Sequence, residues 1–251
     1  MWSRTTDKKL PEKTRRSAPA WWLEAFGVLL SLLAVWAACW FAPTEASMGH
    51  AQRVLYVHVA VAWFALVAFV VAALTSLGYL LSYELKWDYW TQSLSEVGWL
   101  CCSLTLLTGS LWAHEAWGTW WTWDPRLTAA FVLWLLYSGS LVARLALEQP
   151  EQQALVASAM AVLGALDVPL VVLATRWFRG IHPPAPQMEP AMRVALLVSL
   201  VGFNALFLLL TVRRHSQLKL TAELKQLELA TEDLFVLQNQ QPDDLPFETR
   251  T

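Results

Sequence analysis

The chain has 251 residues, of which 56% are hydrophobic and 15% charged, against about 45 to 50% and roughly 25% in an average soluble domain. That balance excludes an ordinary soluble globular protein. The formal charge of −2, from 18 Lys and Arg against 20 Asp and Glu, lacks the basic excess that binding a nucleic-acid backbone requires.

Residues 1–20 form a polar, basic N-terminal tail, after which apolar segments dominate. A helix needs about 20 mostly apolar residues to cross a hydrocarbon layer near 30 Å thick. Six stretches qualify: 21–41, 54–81, 94–112, 127–147, 154–177 and 191–212. The first is too long to be a cleaved signal peptide, and no small-residue cleavage site follows Phe41. Short polar joints, among them 43–52, 82–93 and 148–153, link the spans. The expected fold class is an all-α integral membrane protein: one six-helix bundle over 21–212, with an external tryptophan-rich loop at 113–126. Residues 213–237, where leucines alternate with Lys, Glu and Gln, predict a cytoplasmic helix, and 238–251 a disordered polar tail. Cys39, Cys101 and Cys102 lie within apolar segments, in no metal-ligand or CxxC spacing, and read as core-filling residues.

Basic residues flanking the spans set the orientation, because Lys and Arg are retained on the cytoplasmic side. Six in the N-terminal tail share a side with Lys86, Arg144, Arg213, Arg214, Lys219, Lys225 and Arg250, while Arg53, Arg126, Arg176, Arg179 and Arg193 fall on the other. Both termini are therefore expected in the cytoplasm, with the loops around His50, Trp117 and His182 facing outward.

Sixteen tryptophans are more than interfacial anchoring explains, and five of them fall between Trp112 and Trp123. If the loop is helical, Trp117, Trp120 and Trp121 share a face and form a broad aromatic platform with indole N–H donors at its rim. Asp124 followed by Pro125 predicts an N-cap and first helical position for the fourth span. Such a surface suits a flat apolar ligand. His58, about a turn and a half into the second span, and His182, directly after the fifth, can reach the rim of one outward cavity. Two imidazoles on separate spans beside an aromatic platform form a candidate axial pair for haem iron. Arg126, Arg176 and Arg179 lie nearest in sequence to the motif or to His182 and can pair with carboxylates such as the haem propionates. Asp167, near mid-depth of the fifth span and two residues before Pro169, is a functional carboxyl, or else is protonated or bonded to a neighbouring helix near the proline-loosened turn.

The run Trp117-Gly118-Thr119-Trp120-Trp121-Thr122-Trp123-Asp124-Pro125-Arg126-Leu127-Thr128 matches the tryptophan-rich signature of the haem-handling proteins of cytochrome c maturation. The segment Arg53 to Val59, with Tyr56 and His58, resembles the opening of the second span in the haem exporter protein C (CcmC) branch of that family. Weaker likeness continues at Val168 to Leu170 and at Arg176 to His182, so the resemblance covers about Trp21 to Arg214. His50 and His114 match no histidine of the family. The resemblance implies a carrier, not an enzyme. Such a protein binds haem b through His58, His182 and the cofactor-binding residues Trp117, Trp120, Trp121, Trp123, Asp124, Arg126, Arg176 and Arg179. It would present the haem at the outer face of the bacterial inner membrane to the periplasmic haem chaperone CcmE. The implied complex includes the ABC-transporter subunits CcmA and CcmB and the small subunit CcmD. No P-loop motif is present, so any ATP-driven step would belong to a partner.

Overall fold

The computed structural model describes residues 21–46, 48–178, 180, 182 and 188–239. Six helices in it are long and apolar enough to cross a membrane, and the protein is an all-α, multi-pass membrane bundle. Helix α1 (Trp21–Trp36) runs into a π-helical turn (Ala37–Phe41), followed by α2 (Gln52–Ser82), α3 (Leu85–Trp117), α4 (Pro125–Ala146), α5 (Pro150–Trp177) and α6 (Pro190–Asn239).

The spans start and stop near the expected residues, but two joints differ. Residues 82–93 were expected as a loop; instead α2 ends at Tyr83 in a left-handed conformation (φ 56°) and α3 begins at Leu85. The extra turns of α3 are too polar to count as span, yet they are helical because Asp88, Thr91 and Ser93 are buried against neighbouring helices. Likewise α5 begins at Pro150, inside the expected joint 148–153. At the other end of the chain, 213–237 is helical as expected, as a continuation of α6 without a break. The expected N-terminal tail, and the last residues of the C-terminal one, lie outside the described residues.

Helix α2 is the centre of the bundle, packing on α3, α5 and α6, while α4 leans on α5 and α1 on α6. Buried Val61, Phe69, Cys101, Leu133 and Tyr137 form the core. There the rings of Phe69 and Tyr137 stack at 3.8 Å between centroids, and the Tyr137 hydroxyl donates to the Phe69 carbonyl at 3.4 Å. The expected core-filling role of Cys101 and Cys102 holds, for both are buried free thiols.

Two tryptophans serve as interhelical bonds. Trp99 Nε1 on α3 donates to Ser138 Oγ on α4 at 2.7 Å, and Trp134 Nε1 on α4 donates back to Ser103 Oγ on α3 at 2.8 Å. In a hydrocarbon environment an indole N–H needs such an internal acceptor. The reciprocal pair fixes how α4 sits on α3, and so where the loop between them emerges.

Candidate functional site

The site is built at the end of the bundle where α3 hands over to α4. Helix α3 stops at Trp117 because Gly118 turns left-handed (φ 70°), its N–H donating to the His114 carbonyl at 2.9 Å. That conformation is nearly free for glycine and strained for other residues. Residues 119–124 then run without helix. Ser110 Oγ donates to the Trp120 carbonyl at 2.8 Å and Thr119 Oγ1 to the Trp121 carbonyl at 3.1 Å, so the loop folds back against the end of α3.

Asp124 closes the loop as expected from sequence. Its Oδ1 accepts from the Leu127 N–H at 2.9 Å, and Pro125 follows at the first helical position. This cap also reaches toward the segment after α5, since a Cβ built on Gly180 would stand 3.2 Å from Asp124 Oδ2. The carboxylate that caps α4 thus lies close to the backbone at Gly180.

Beneath this loop lies an open-mouthed cavity. His58 from α2, His182 from the segment after α5, Trp112 and Trp117 from α3, Trp121 from the loop and Arg126 from α4 all line it. Its floor is apolar, with Phe69, Cys102, Leu133 and Val171. The indole N–H groups of Trp112 and Trp121 are buried and have no hydrogen-bond partner among the described residues. Buried donors of this kind carry a cost of about 1 to 3 kcal/mol unless something accepts from them, so the cavity is prepared for a ligand with acceptor atoms. Among the described residues no three His, Cys, Asp or Glu side chains gather to hold a bare metal ion. Two imidazoles suffice, however, for an iron whose equatorial positions a porphyrin already fills.

The residues singled out from sequence divide here. His58, His182, Trp117, Trp121 and Arg126 meet at the cavity. Trp120 and Trp123 do not: they are 55% and 70% exposed, and Trp120 stacks on His114 with ring centroids 4.1 Å apart. The shared helical face of Trp117, Trp120 and Trp121 does not exist, because Gly118 ends the helix and rotates the loop indoles to opposite sides. Asp124 caps α4 and does not line the main cavity. Arg176 is exposed at the end of α5, and Arg179 lies outside the described residues. His50 is exposed on its own loop.

Trp112 is the residue that sequence reasoning missed. It lies outside the signature, one and a half turns before the end of α3, but packs edge-on against Trp117 at 4.8 Å. Its spacing of five from Trp117 is not one that puts two side chains on the same helix face, so the sequence carried no signal for it.

Asp167 is buried on α5 close to Pro169, and among the described residues its Oδ2 has no hydrogen-bond partner. Helix α5 continues through Pro169 without interruption.

Comparison with known proteins now decides the family. The family described as Heme exporter protein C matches residues 6–230. The chain belongs to the Heme exporter protein C family. It is 30% identical over 196 residues to Heme exporter protein C of Bradyrhizobium diazoefficiens, covering 75% of this chain and 74% of the relative. The protein of the same name from Rhodobacter capsulatus is 29% identical over 237 residues, 91% of this chain and 97% of the relative. That of Escherichia coli K12 is 28% identical over 207 residues, covering 81% and 84%. The region of likeness includes both cavity histidines and the whole tryptophan loop.

Proposed function

We propose that this protein takes up haem in the cavity under the tryptophan loop and passes it on during the biogenesis of c-type cytochromes. One observation carries the reading. His58 and His182, from separate elements, line a single cavity together with three indoles and one guanidinium. The family to which the chain belongs is named for heme export, which supports the same cargo.

Haem b, held without a covalent bond, would lie against Trp117 and Trp121, with iron between the two imidazoles. The Trp112 and Trp121 N–H groups and Arg126 would meet the polar edge of the macrocycle, where the propionates are. Arginine suits that task because its planar fork matches a carboxylate. The family's name, which speaks of heme export, supports a carrier and not an enzyme.

The larger number of Lys and Arg flanking the other ends of the spans in the sequence supports an orientation with both termini in the cytoplasm and the cavity at the periplasmic face of the bacterial inner membrane. The recipient would be the periplasmic haem chaperone CcmE, with CcmA, CcmB and CcmD completing the complex. Exposed Trp120 and Trp123 stand at the mouth of the loop, where a recipient must approach.

The test is an optical spectrum of the purified full chain with added haem, for wild type, His58→Ala and His182→Ala. Wild type should show a six-coordinate Soret band, and each variant a five-coordinate or weakened one. Wild-type spectra from both variants would refute the bis-histidine site, and absence of haem uptake by the wild type would refute the reading as a whole.

A further inference from the structure

The first of the two cavity histidines is held from behind by α3. His58 Nδ1 lies 3.0 Å from Thr108 Oγ1. That hydroxyl already donates to the Leu104 carbonyl at 2.7 Å, one turn earlier in the same helix. A hydroxyl carries one hydrogen and two lone pairs. With its hydrogen committed to the carbonyl, Thr108 Oγ1 has only acceptor capacity left for His58. The contact is therefore a bond when the imidazole carries its hydrogen on Nδ1. In a neutral imidazole that choice leaves Nε2 as the nitrogen with a free lone pair.

The next residue sets the ring's position. A Cβ built on Gly109 would come within 3.0 Å of His58 Cε1, the carbon between the two nitrogens. His58 and Gly109 both line the cavity. A side chain at Gly109 would require the ring to give way by a few tenths of an ångström, so glycine lets His58 lie close against α3 beside Thr108.

We propose that Thr108 and Gly109 form a seat for His58, fixing it as the Nδ1–H tautomer and reserving Nε2 for the cavity. Thr108 is then a positioning residue for axial ligation. It acts through His58 and does not touch the ligand. The consequence for iron rests on the haem reading above, whereas the tautomer is a property of the haem-free protein. Partners that hold the outer nitrogen of a metal-binding histidine orient the ring and raise its basicity, and losing one commonly weakens metal binding 10- to 100-fold.

The experiment uses the full chain in detergent with ¹⁵N-labelled histidine and no haem. Spectra of His58→Gln assign the His58 signals. Wild type and Thr108→Ser should show His58 protonated on Nδ1, and Thr108→Val, which keeps the shape of the side chain, should show a mixture or the other tautomer. Titration with hemin should then give roughly 10-fold weaker binding for Thr108→Val and a value within about 2-fold of wild type for Thr108→Ser. A wild-type His58 protonated on Nε2 overturns the seat without any variant being needed. So does a Thr108→Val protein that keeps the wild-type tautomer, or one that binds hemin as wild type does while His58→Gln loses ligation. If His58→Gln itself binds hemin normally, the haem-ligation reading fails, and the tautomer spectra still decide whether the seat exists.

Discussion

Asp88 and Arg144 form a bidentate ion pair in the interior of the bundle, with Oδ2 to Nη1 at 3.0 Å and Oδ1 to Nη2 at 2.5 Å. Asp88 belongs to the first turn of α3 and Arg144 to the last turn of α4, and both side chains are buried. The pair clasps these helices at the end opposite the cavity, as the Trp99–Ser138 and Ser103–Trp134 bonds hold them midway. Together they hold in place the two helix ends between which the tryptophan loop hangs.

Breaking one side of this pair should be costly, because the remaining charge is left buried. Asp88→Ala and Arg144→Ala are each expected to lower stability by about 3 to 5 kcal/mol, whereas replacing both by apolar residues of similar volume should recover most of the loss. Denaturation of the purified protein in detergent checks this, and equal losses in the single and double variants would contradict it.

The tryptophans of the loop should separate into two phenotypes. Trp117→Ala and Trp121→Ala remove walls of the cavity and are expected to lower haem occupancy several-fold by pyridine haemochrome. Trp120→Ala and Trp123→Ala, whose rings are exposed, should leave occupancy near wild type and instead reduce capture of the chaperone. A loss of haem from Trp123→Ala as large as that from Trp121→Ala would mean that the exposed indole turns inward when haem is bound.

The arginines also part ways. Arg126 lines the cavity, and Arg126→Ala should weaken haem retention by about 10-fold, the loss expected for one charge-assisted contact of 1.5 kcal/mol or so. Arg176 is exposed, so Arg176→Ala should bind haem as wild type does. Haem off-rates measured by transfer to apomyoglobin distinguish the two.

Asp124 should act through structure. Asp124→Ala loses the cap on the Leu127 N–H and about 1 kcal/mol of helix stability, together with the contact surface under Gly180. Asp124→Asn keeps an acceptor oxygen for the cap and should retain most of the stability. Thermal midpoints and haem occupancy in the same preparations test whether both fall together in the alanine variant.

Much of this was legible in the chain itself. Hydropathy is a local property of about 20 residues, so the six spans could be read directly, and Asp124-Pro125 announced the start of α4 because capping is settled within one turn. His58 and His182 could be named because imidazoles at the ends of apolar segments are few. The extent of α3 was not legible, since Asp88 looks like a loop residue until Arg144, 56 positions later, neutralises it.

What only the tertiary structure decided is the direction in which each side chain points. Trp117, Trp120, Trp121 and Trp123 are equivalent in composition, yet the left-handed turn at Gly118 and the Ser110 bond to the Trp120 carbonyl send two toward the cavity and two outward. Trp112 and Thr108 join the site from inside a span, where sequence shows one more apolar turn. Their roles depend on α2 packing against α3 so that His58 meets Thr108 across 50 residues of chain. The sequence by itself determined the spans, the cap and the family signature. The cavity came from packing, because a hydrogen bond or a wall requires two surfaces to meet, and no local pattern records which surface lies opposite.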